Sequence, residues 1–311
     1  MEILHIQNPK ELIDFPPSSV ALGTFDGIHI GHQKVIQTGI DLAHHSNLKA
    51  GVLTFDPHPK EVLGKIKETN YITPLSVKLA ILEKMGLDFT FIIPFNLEFA
   101  KLSPDEFIRQ YIEGLNIRKV VTGFDFCFGH KGIGTASYLQ EWAEKYHSFE
   151  AFMIPSIDEQ GEKISSSRIR HLLMEGDVGE AAQLLGRYFR MSGNVVTGDQ
   201  RGRTIGFPTA NIHLNKPYII PRVGVYAVKV YWKEQKLNGV LNLGFKPTFY
   251  SELEKPSLEV HIFNFDQSLY GEELEIEFIS YLRPEKRFSG LDELKNQIKL
   301  DSDKAKEILN T

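Results

Sequence analysis

The chain of 311 residues holds a single cysteine, Cys127, so no disulfide can form within it. That excludes the small disulfide-stapled scaffolds and fits a reducing compartment. Charge of one sign is also lacking: 35 basic against 40 acidic side chains leave a net −5, with no basic excess of the kind that grips nucleic acid. No apolar run approaches the roughly 18 residues that a membrane span needs. The opening Met-Glu-Ile-Leu-His has no basic segment followed by an apolar core, so no signal peptide is expected. Repeats and low-complexity tracts are missing too. The expectation is a soluble, cytoplasmic protein acting on small-molecule substrates, with no nucleic-acid or membrane partner and with self-association left open. What is present is a 42% hydrophobic composition, enough for two domains with their own cores.

One stretch stands out, Val20 to His32. Val20, Ala21 and Leu22 are an apolar run suited to a buried strand, and Gly23 and Gly27 predict a tight turn at positive φ. From His32 the period changes: Val35, Ile36, Ile40 and Ala43 recur at three and four, one face of a helix. Strand, glycine turn and helix is the geometry in which free N–H groups and a positive helix end meet an anion, usually a phosphate. His29 and His32 sit on either side of Gly31, where the turn becomes the helix. Spacing alone leaves open nucleotide handling, a metal held by the histidine pair, and a turn without chemistry. The metal reading lacks a third ligand, because Cys127 is distant and no carboxylate lies at helical spacing.

The rest of the first half alternates. Lys49–Phe55, Phe89–Pro94, Lys119–Thr122 and Phe149–Ile154 read as strands. Thr73-Pro74 predicts a helix with proline at its first position and Val77, Ile81 and Leu82 among its apolar residues. Ser103-Pro104-Asp105-Glu106 is a capping box opening a helix to about Leu115, and Thr135–Tyr146 is helical. Such alternation argues for a parallel sheet covered on both faces, with ligands beyond the carboxyl ends of its strands. Asp56 and Asp125 each follow a strand and are placed to enter one cleft; loop aspartates also commonly just satisfy backbone N–H groups. Next, Ile164-Ser165-Ser166-Ser167-Arg168-Ile169-Arg170 leads into a helix through Leu172, Leu173 and Met174. Serines there are ordinarily caps. Three serines before two arginines also make a polyphosphate grip, hydroxyls donating while guanidinium offers a matched fork.

A short helix, Asp177–Leu185, closes a first domain at residues 1–186, and residues 187–311 turn to β. Tyr188–Val196, Gly224–Trp232, Gly239–Leu243, Leu258–Phe265 and Glu273–Leu282 are closely spaced strands that suggest a small antiparallel barrel. An amphipathic helix, Leu291–Leu309, follows. Within this half, Gly202-Arg203-Thr204-Ile205-Gly206-Phe207-Pro208-Thr209-Ala210-Asn211 is neither a Walker A loop nor Gly-x-Gly-x-x-Gly. An extended backbone turns Thr209 and Asn211 to one side, and two neutral oxygens on one side suit Mg²⁺. Alternation in Leu258–Phe263 puts Leu258, Val260 and Ile262 on one face and Glu259 on the other, where a glutamate ordinarily faces water.

Gly-Thr-Phe-Asp-Gly-Ile-His-Ile-Gly-His (Gly23–His32) resembles the Gly-x-Phe-Asp-Gly-x-His-x-Gly-His signature of adenylyltransferases, whose histidines bind the ATP phosphates as pyrophosphate leaves. Ile-Ser-Ser-Ser-x-Ile-Arg at 164–170, Thr-Phe-Asp-Pro-His-Pro at 54–59 and Gly-Phe-Asp-Phe-Cys-Phe-Gly at 123–129 are similar to the flavin-specific branch. The Gly202–Asn211 string resembles the riboflavin kinase signature, in which Pro-Thr-Ala-Asn holds Mg-ATP. Asn242–Phe249 is similar to a second block of that family, with Lys246 where arginine is common; Asn264 stands where Asp is often found nearby, and Arg283 before Pro284-Glu285 matches a late block. Together the blocks span nearly the whole chain in the order of the bifunctional prokaryotic FAD synthetases.

That resemblance implies an α/β nucleotidyltransferase-type, Rossmann-like parallel sheet followed by a small antiparallel β-barrel with a C-terminal helix. Riboflavin would be phosphorylated to FMN by Mg-ATP in 187–311, and FMN adenylylated to FAD in 1–186 with release of pyrophosphate. For adenylyl transfer it implies His29, His32, Asp125 and Arg168 as catalytic, with Gly23, Phe25, Asp26, Gly31, Ser165, Ser166 and Ser167 on ATP. Asp56, Phe128 and Arg283 would contact flavin, with Asp56 and Asp125 positioning it or a metal. For the kinase, Gly202, Arg203, Gly206 and Pro208 would hold ATP, Thr209 and Asn211 Mg²⁺, and Glu259 would be the general base. Two rivals are an enzyme with one live activity and a non-catalytic flavin-binding regulator. The complete His29/His32, Ser165–Arg168 and Thr209/Asn211/Glu259 sets speak against both.

Overall fold

Six strands of the first half lie side by side in the order Glu2–His5, Phe89–Pro94, Lys49–Asp56, Ser18–Leu22, Ile117–Gly123 and Glu150–Ile154, every pair parallel. They are seen in a computed structural model that describes residues 1–7, 9, 15–64, 70–159, 161–198, 206–246 and 255–310, the side chains of 246 and 255 excepted. The chain divides into two compact units, Met1–Ser166 and Ser167–Thr311.

In the first unit, successive residues of Ser18–Leu22 serve opposite faces: Val20 and Leu22 join one apolar core and Ala21 another. The helix Ile30–His45 covers the second core with Val35, Ile36, Ile40 and Ala43, the face that the periodicity predicts. Because the strands after Ser18–Leu22 step one way and Ile117–Gly123 returns to its other side, the order reverses there. Open α/β sheets bind ligands at such a reversal.

The expected strands and helices are present with ends shifted by a few residues, and some details differ. Pro74 is the N-cap of Leu75–Lys84 and not its first helical residue. The Ser103–Glu106 capping box is present, yet its helix is α only over Pro104–Phe107 and continues as a π-helix over Ile108–Glu113. Strand Glu2–His5 has no counterpart in the sequence reading; it is a largely exposed edge strand of 4 residues, too short for a period to register.

In the second unit, helices Ser166–Glu175, begun at the last residue of the first unit, and Val178–Leu185 precede a closed barrel. Its order is Arg190–Val196, Ala210–Leu214, Lys255–Ile262, Gln235–Lys246, Gly224–Trp232 and Glu273–Arg283, closing on the first, all antiparallel. Register stacks Tyr226, Leu241 and Val260 across the barrel, with Leu243 beside Leu258, all buried. The helix Leu291–Leu309 lays Ala305 and Leu309 on Val225, Ala227 and Val240 of the other face. Ala210–Leu214 is the strand that the sequence reading omits, since polar Asn211 and His213 interrupt its apolar character. Among the described residues no helix is long and apolar enough to cross a membrane.

Candidate active sites

At the reversal point the chain leaves Ser18–Leu22 and turns at once. Phe25 (φ 48°), Gly27 (φ 90°) and Ile28 (φ 40°) occupy the left-handed region, the two non-glycines held there by full burial. Gly23 is not at positive φ, contrary to expectation. It is required for space, because a Cβ would lie 2.9 Å from the Phe25 ring. His29 is the N-cap of the following helix: its Nδ1 accepts the His32 N–H at 3.2 Å. A neutral His29 bonded in this way carries its proton on Nε2 and presents a donor. The two imidazoles stack at 3.6 Å between centroids, over a Gly31 that leaves 3.1 Å to the His29 ring for any added Cβ. His32 has a buried Nδ1 without a hydrogen-bond partner among the described residues. Burial first, then the charges of His29, Lys78 and Lys163, hold its pKa well below the usual histidine value. A bound polyanion would push that pKa back up.

Asp26 faces inward. Its carboxylate accepts the N–H groups of Ile72 (3.3 Å) and Thr73 (3.0 Å), while the Gly27 N–H donates to Thr73 Oγ1 at 2.8 Å. Thr73 therefore pins the turn, a role not visible when it is read only as a helix entry. Five residues on, Lys78 lies 3% exposed and donates to the Thr24 carbonyl at 2.6 Å and to Thr54 Oγ1 at 3.4 Å. Burial pulls its pKa down to about 8, with Asp26 and Asp56 opposing. Lys78 is absent from the sequence-predicted set. The signal was its place four before Leu82, on the buried face of the helix. Asp56 ends its strand; burial raises its pKa, and Lys78 opposes that rise.

The serine turn reaches this loop, Ser166 Oγ donating to the Asp26 carbonyl at 2.8 Å. Ser165 lies beside it, while Ser167 and Arg168 fall in the second unit, where Arg168 pairs with Glu180 at 2.8 Å. Asp125 is exposed and paired with Lys163 at 2.6 Å; Lys163 also lies 4.4 Å over the Phe124 ring. Phe128 is in the core, 5.1 Å from Phe107 and 5.8 Å from Phe126. The exposed aromatic of this loop is Phe124, which lies in the 123–129 motif but is not among the expected flavin contacts.

On the barrel, strand register does the gathering. Asn211 lies opposite Glu259, and Glu259 opposite Asn242. Directly opposed residues share a face about 4.5–5.5 Å apart, so segments 17 residues or more apart in sequence form one row. Ser257 Oγ donates to Glu259 at 3.5 Å, and Asn242 Nδ2 to Glu285 at 3.2 Å. His261 donates from Nδ1 to the Pro208 carbonyl at 2.8 Å, tying the 206–209 segment to the glutamate strand. Thr209 and Asn211 line a cavity of about 460 Å³, with Pro208, Val260 and Tyr270. Gly198 abuts Asn211 so closely that a Cβ would lie 2.2 Å from its Nδ2. Among the described residues no three His, Cys, Asp or Glu side chains form a metal cage. An amide oxygen beside one carboxylate, with a threonine hydroxyl two residues earlier, is a donor set that fits a hard cation which keeps waters and takes phosphate oxygens.

Arg283 is held by Asp301 of the C-terminal helix, Nε at 2.9 Å and Nη2 at 2.7 Å. Asn264 sits at φ 53°, a conformation that Asn and Asp alike tolerate. Gly206 takes φ 87°. Gly202, Arg203, residues 247–249 and the Lys246 side chain lie outside the described residues.

The FAD synthetase family model matches residues 13–168, and the riboflavin kinase model residues 185–309. A Bacillus subtilis protein named bifunctional riboflavin kinase/FMN adenylyltransferase is 46% identical over 98% of this chain and 97% of its own. Proteins of the same name from Listeria monocytogenes and Escherichia coli K12 are 42% and 36% identical, covering 91% and 93% of this chain and 89% and 91% of theirs. A crystal structure from Streptococcus pneumoniae, described as a macrolide-efflux protein, aligns over 97% of both chains with TM-score 0.87 and 34% identity. Two family models in tandem, full-length relatives and two separate clusters of signature residues agree: this chain belongs to the bifunctional riboflavin kinase/FMN adenylyltransferase family.

Proposed function

We propose that this chain phosphorylates riboflavin to FMN in residues 187–311 and adenylylates FMN to FAD in residues 1–186, as a cytoplasmic enzyme using a separate ATP for each step. What carries the reading is that each unit gathers its own dispersed segments: Ser166 bonds to the Asp26 carbonyl in one, and Asn211, Glu259 and Asn242 align in the other.

In the kinase step Glu259 takes the proton of the riboflavin primary alcohol as its oxygen attacks the γ-phosphorus, and ADP leaves. Thr209 and Asn211 would hold Mg²⁺, which offsets phosphate charge when bound. Gly202, Arg203, Gly206 and Pro208 would bind ATP, and Arg283, fastened by Asp301, borders the flavin.

In the adenylyl step an FMN phosphate oxygen attacks the α-phosphorus and pyrophosphate leaves. That phosphate is already ionised, so the barrier is the approach of two polyanions, met by positioning and charge stabilisation. His29, His32, Ser165 and Ser166 hold the triphosphate on the Gly23, Phe25, Asp26 and Gly31 frame. Asp56 and Asp125 orient the flavin, and Phe128 supports its wall from the core.

Incubation with riboflavin, ATP and Mg²⁺, with chromatography of FMN, FAD and pyrophosphate, tests this directly. The expected result is all three products. FMN without FAD, or neither, overturns the double function.

A further inference from the structure

Lysine is almost never fully buried without a carboxylate partner, because desolvating an ammonium is costly. Lys78 is buried and its hydrogen bonds go to neutral oxygens, the Thr24 carbonyl and the Thr54 hydroxyl. The helix that carries it buries Leu82 on the same face, where methionine or leucine would pack without that cost. Something other than stability keeps a cation there.

The Thr24 carbonyl indicates what. Across a trans peptide, C=O and the next N–H point in opposite directions. A carbonyl drawn inward to Lys78 therefore turns the Phe25 N–H away from the buried ammonium. Among the described residues that N–H has no hydrogen-bond partner. It lies in the left-handed turn that precedes His29 and His32.

We propose that Lys78 is a positioning residue for adenylyl transfer: its ammonium holds the Thr24 carbonyl inward, aims the Phe25 N–H at the ATP polyphosphate, and sets a fixed positive charge beneath it. The inference rests on the adenylyl-transfer reading above. The groups facing Lys78 are Asp26 from the turn, Asp56 from the end of Lys49–Asp56 and His32 from the helix Ile30–His45. Carboxylates and imidazoles ionise in the acid to neutral range, so an alkaline change in this cluster belongs to the lysine.

The test is FAD formation from FMN and ATP in the full chain, followed as kcat/KM from pH 7 to 9.5, for wild type, Lys78→Met and Lys78→Arg. Wild type is expected to decline above pH about 8. Lys78→Met should be down roughly 10²-fold at pH 7, by analogy with one lost oxyanion donor, and flat with pH. Lys78→Arg keeps the charge and should lose the alkaline decline. Far-UV circular dichroism and thermal melting of the same chains report whether the unit that holds Lys78 is folded in each variant. If Lys78→Met does not fold, the wild-type and Lys78→Arg profiles decide. A wild-type profile flat to pH 9.5, or Lys78→Met at the wild-type rate, overturns the inference alone. A wild-type chain that makes no FAD at any pH overturns the adenylyl-transfer reading, and the inference with it.

Discussion

The two units assemble their proposed nucleotide sites by different means. In the first, one continuous stretch turns at the end of a parallel strand, and its backbone N–H groups, histidines and helix start come from ten consecutive residues. Distant segments only brace it: Thr73 just before the helix Leu75–Lys84, Lys78 on that helix, and Ser166 from the serine turn. In the second no continuous stretch suffices. Asn211 comes opposite Glu259 only because two strands pair in a particular register, and a slip by one residue would send the glutamate to the opposite face. A phosphate cradle of backbone donors is local by construction, whereas a carboxylate poised on an alcohol needs a partner strand. The first site should therefore be sensitive to the loss of single imidazoles, and the second to whatever disturbs cross-strand alignment.

The sharpest separation should come from Glu259→Gln, which removes the proposed base while keeping size. Riboflavin phosphorylation should fall by about 10²–10⁴, with FAD formation from supplied FMN unchanged; parallel loss of both would dissolve the distinction between sites. His32→Ala is the mirror experiment. Adenylyl transfer should drop on the order of 10²–10³, and phosphorylation of riboflavin should stay at the wild-type rate. A smaller effect is expected from Gly198→Ala, whose added Cβ would displace the Asn211 amide. Kinase kcat/KM for ATP should fall roughly tenfold, about 1.4 kcal/mol, with the adenylyl step as internal control. An unaffected kinase would mean that the orientation of Asn211 is immaterial.

The smallest effect concerns stability. The pKa of His32 is depressed in the folded chain, so below the usual value of about 6.5 the unfolded chain binds a proton that the folded one does not. Stability must then fall as pH falls, by at most about 1.4 kcal/mol per pH unit for one proton. Melting followed from pH 7.5 to 5.5 should show a shallower decline in His32→Gln than in wild type. Equal slopes would mean that His32 is not buried neutral.

Much of this was legible beforehand. The helix face of Val35, Ile36, Ile40 and Ala43, the capping box at Ser103 and the strand Phe89–Pro94 follow from period and local hydrogen-bond chemistry, and the structure has them where the pattern puts them. Glu2–His5 and Ala210–Leu214 were not legible, because short strands with polar residues are made by their neighbours and not by their own composition. At the site, the motifs marked His29, His32 and Glu259, yet gave no hint that Asp26 faces inward to Thr73 or that Phe128 belongs to the core.

The sequence by itself determined two domains, their fold classes and the chemistry of their signature segments, since these depend on residues near one another in the chain. Only the tertiary structure decided that Lys78 is buried under the turn, that Gly23 serves space and not φ, and that Asn211, Glu259 and Asn242 share a face. Those facts depend on which segments pack together. Side-chain burial and strand register are set by contacts between residues far apart in sequence, which no local pattern encodes.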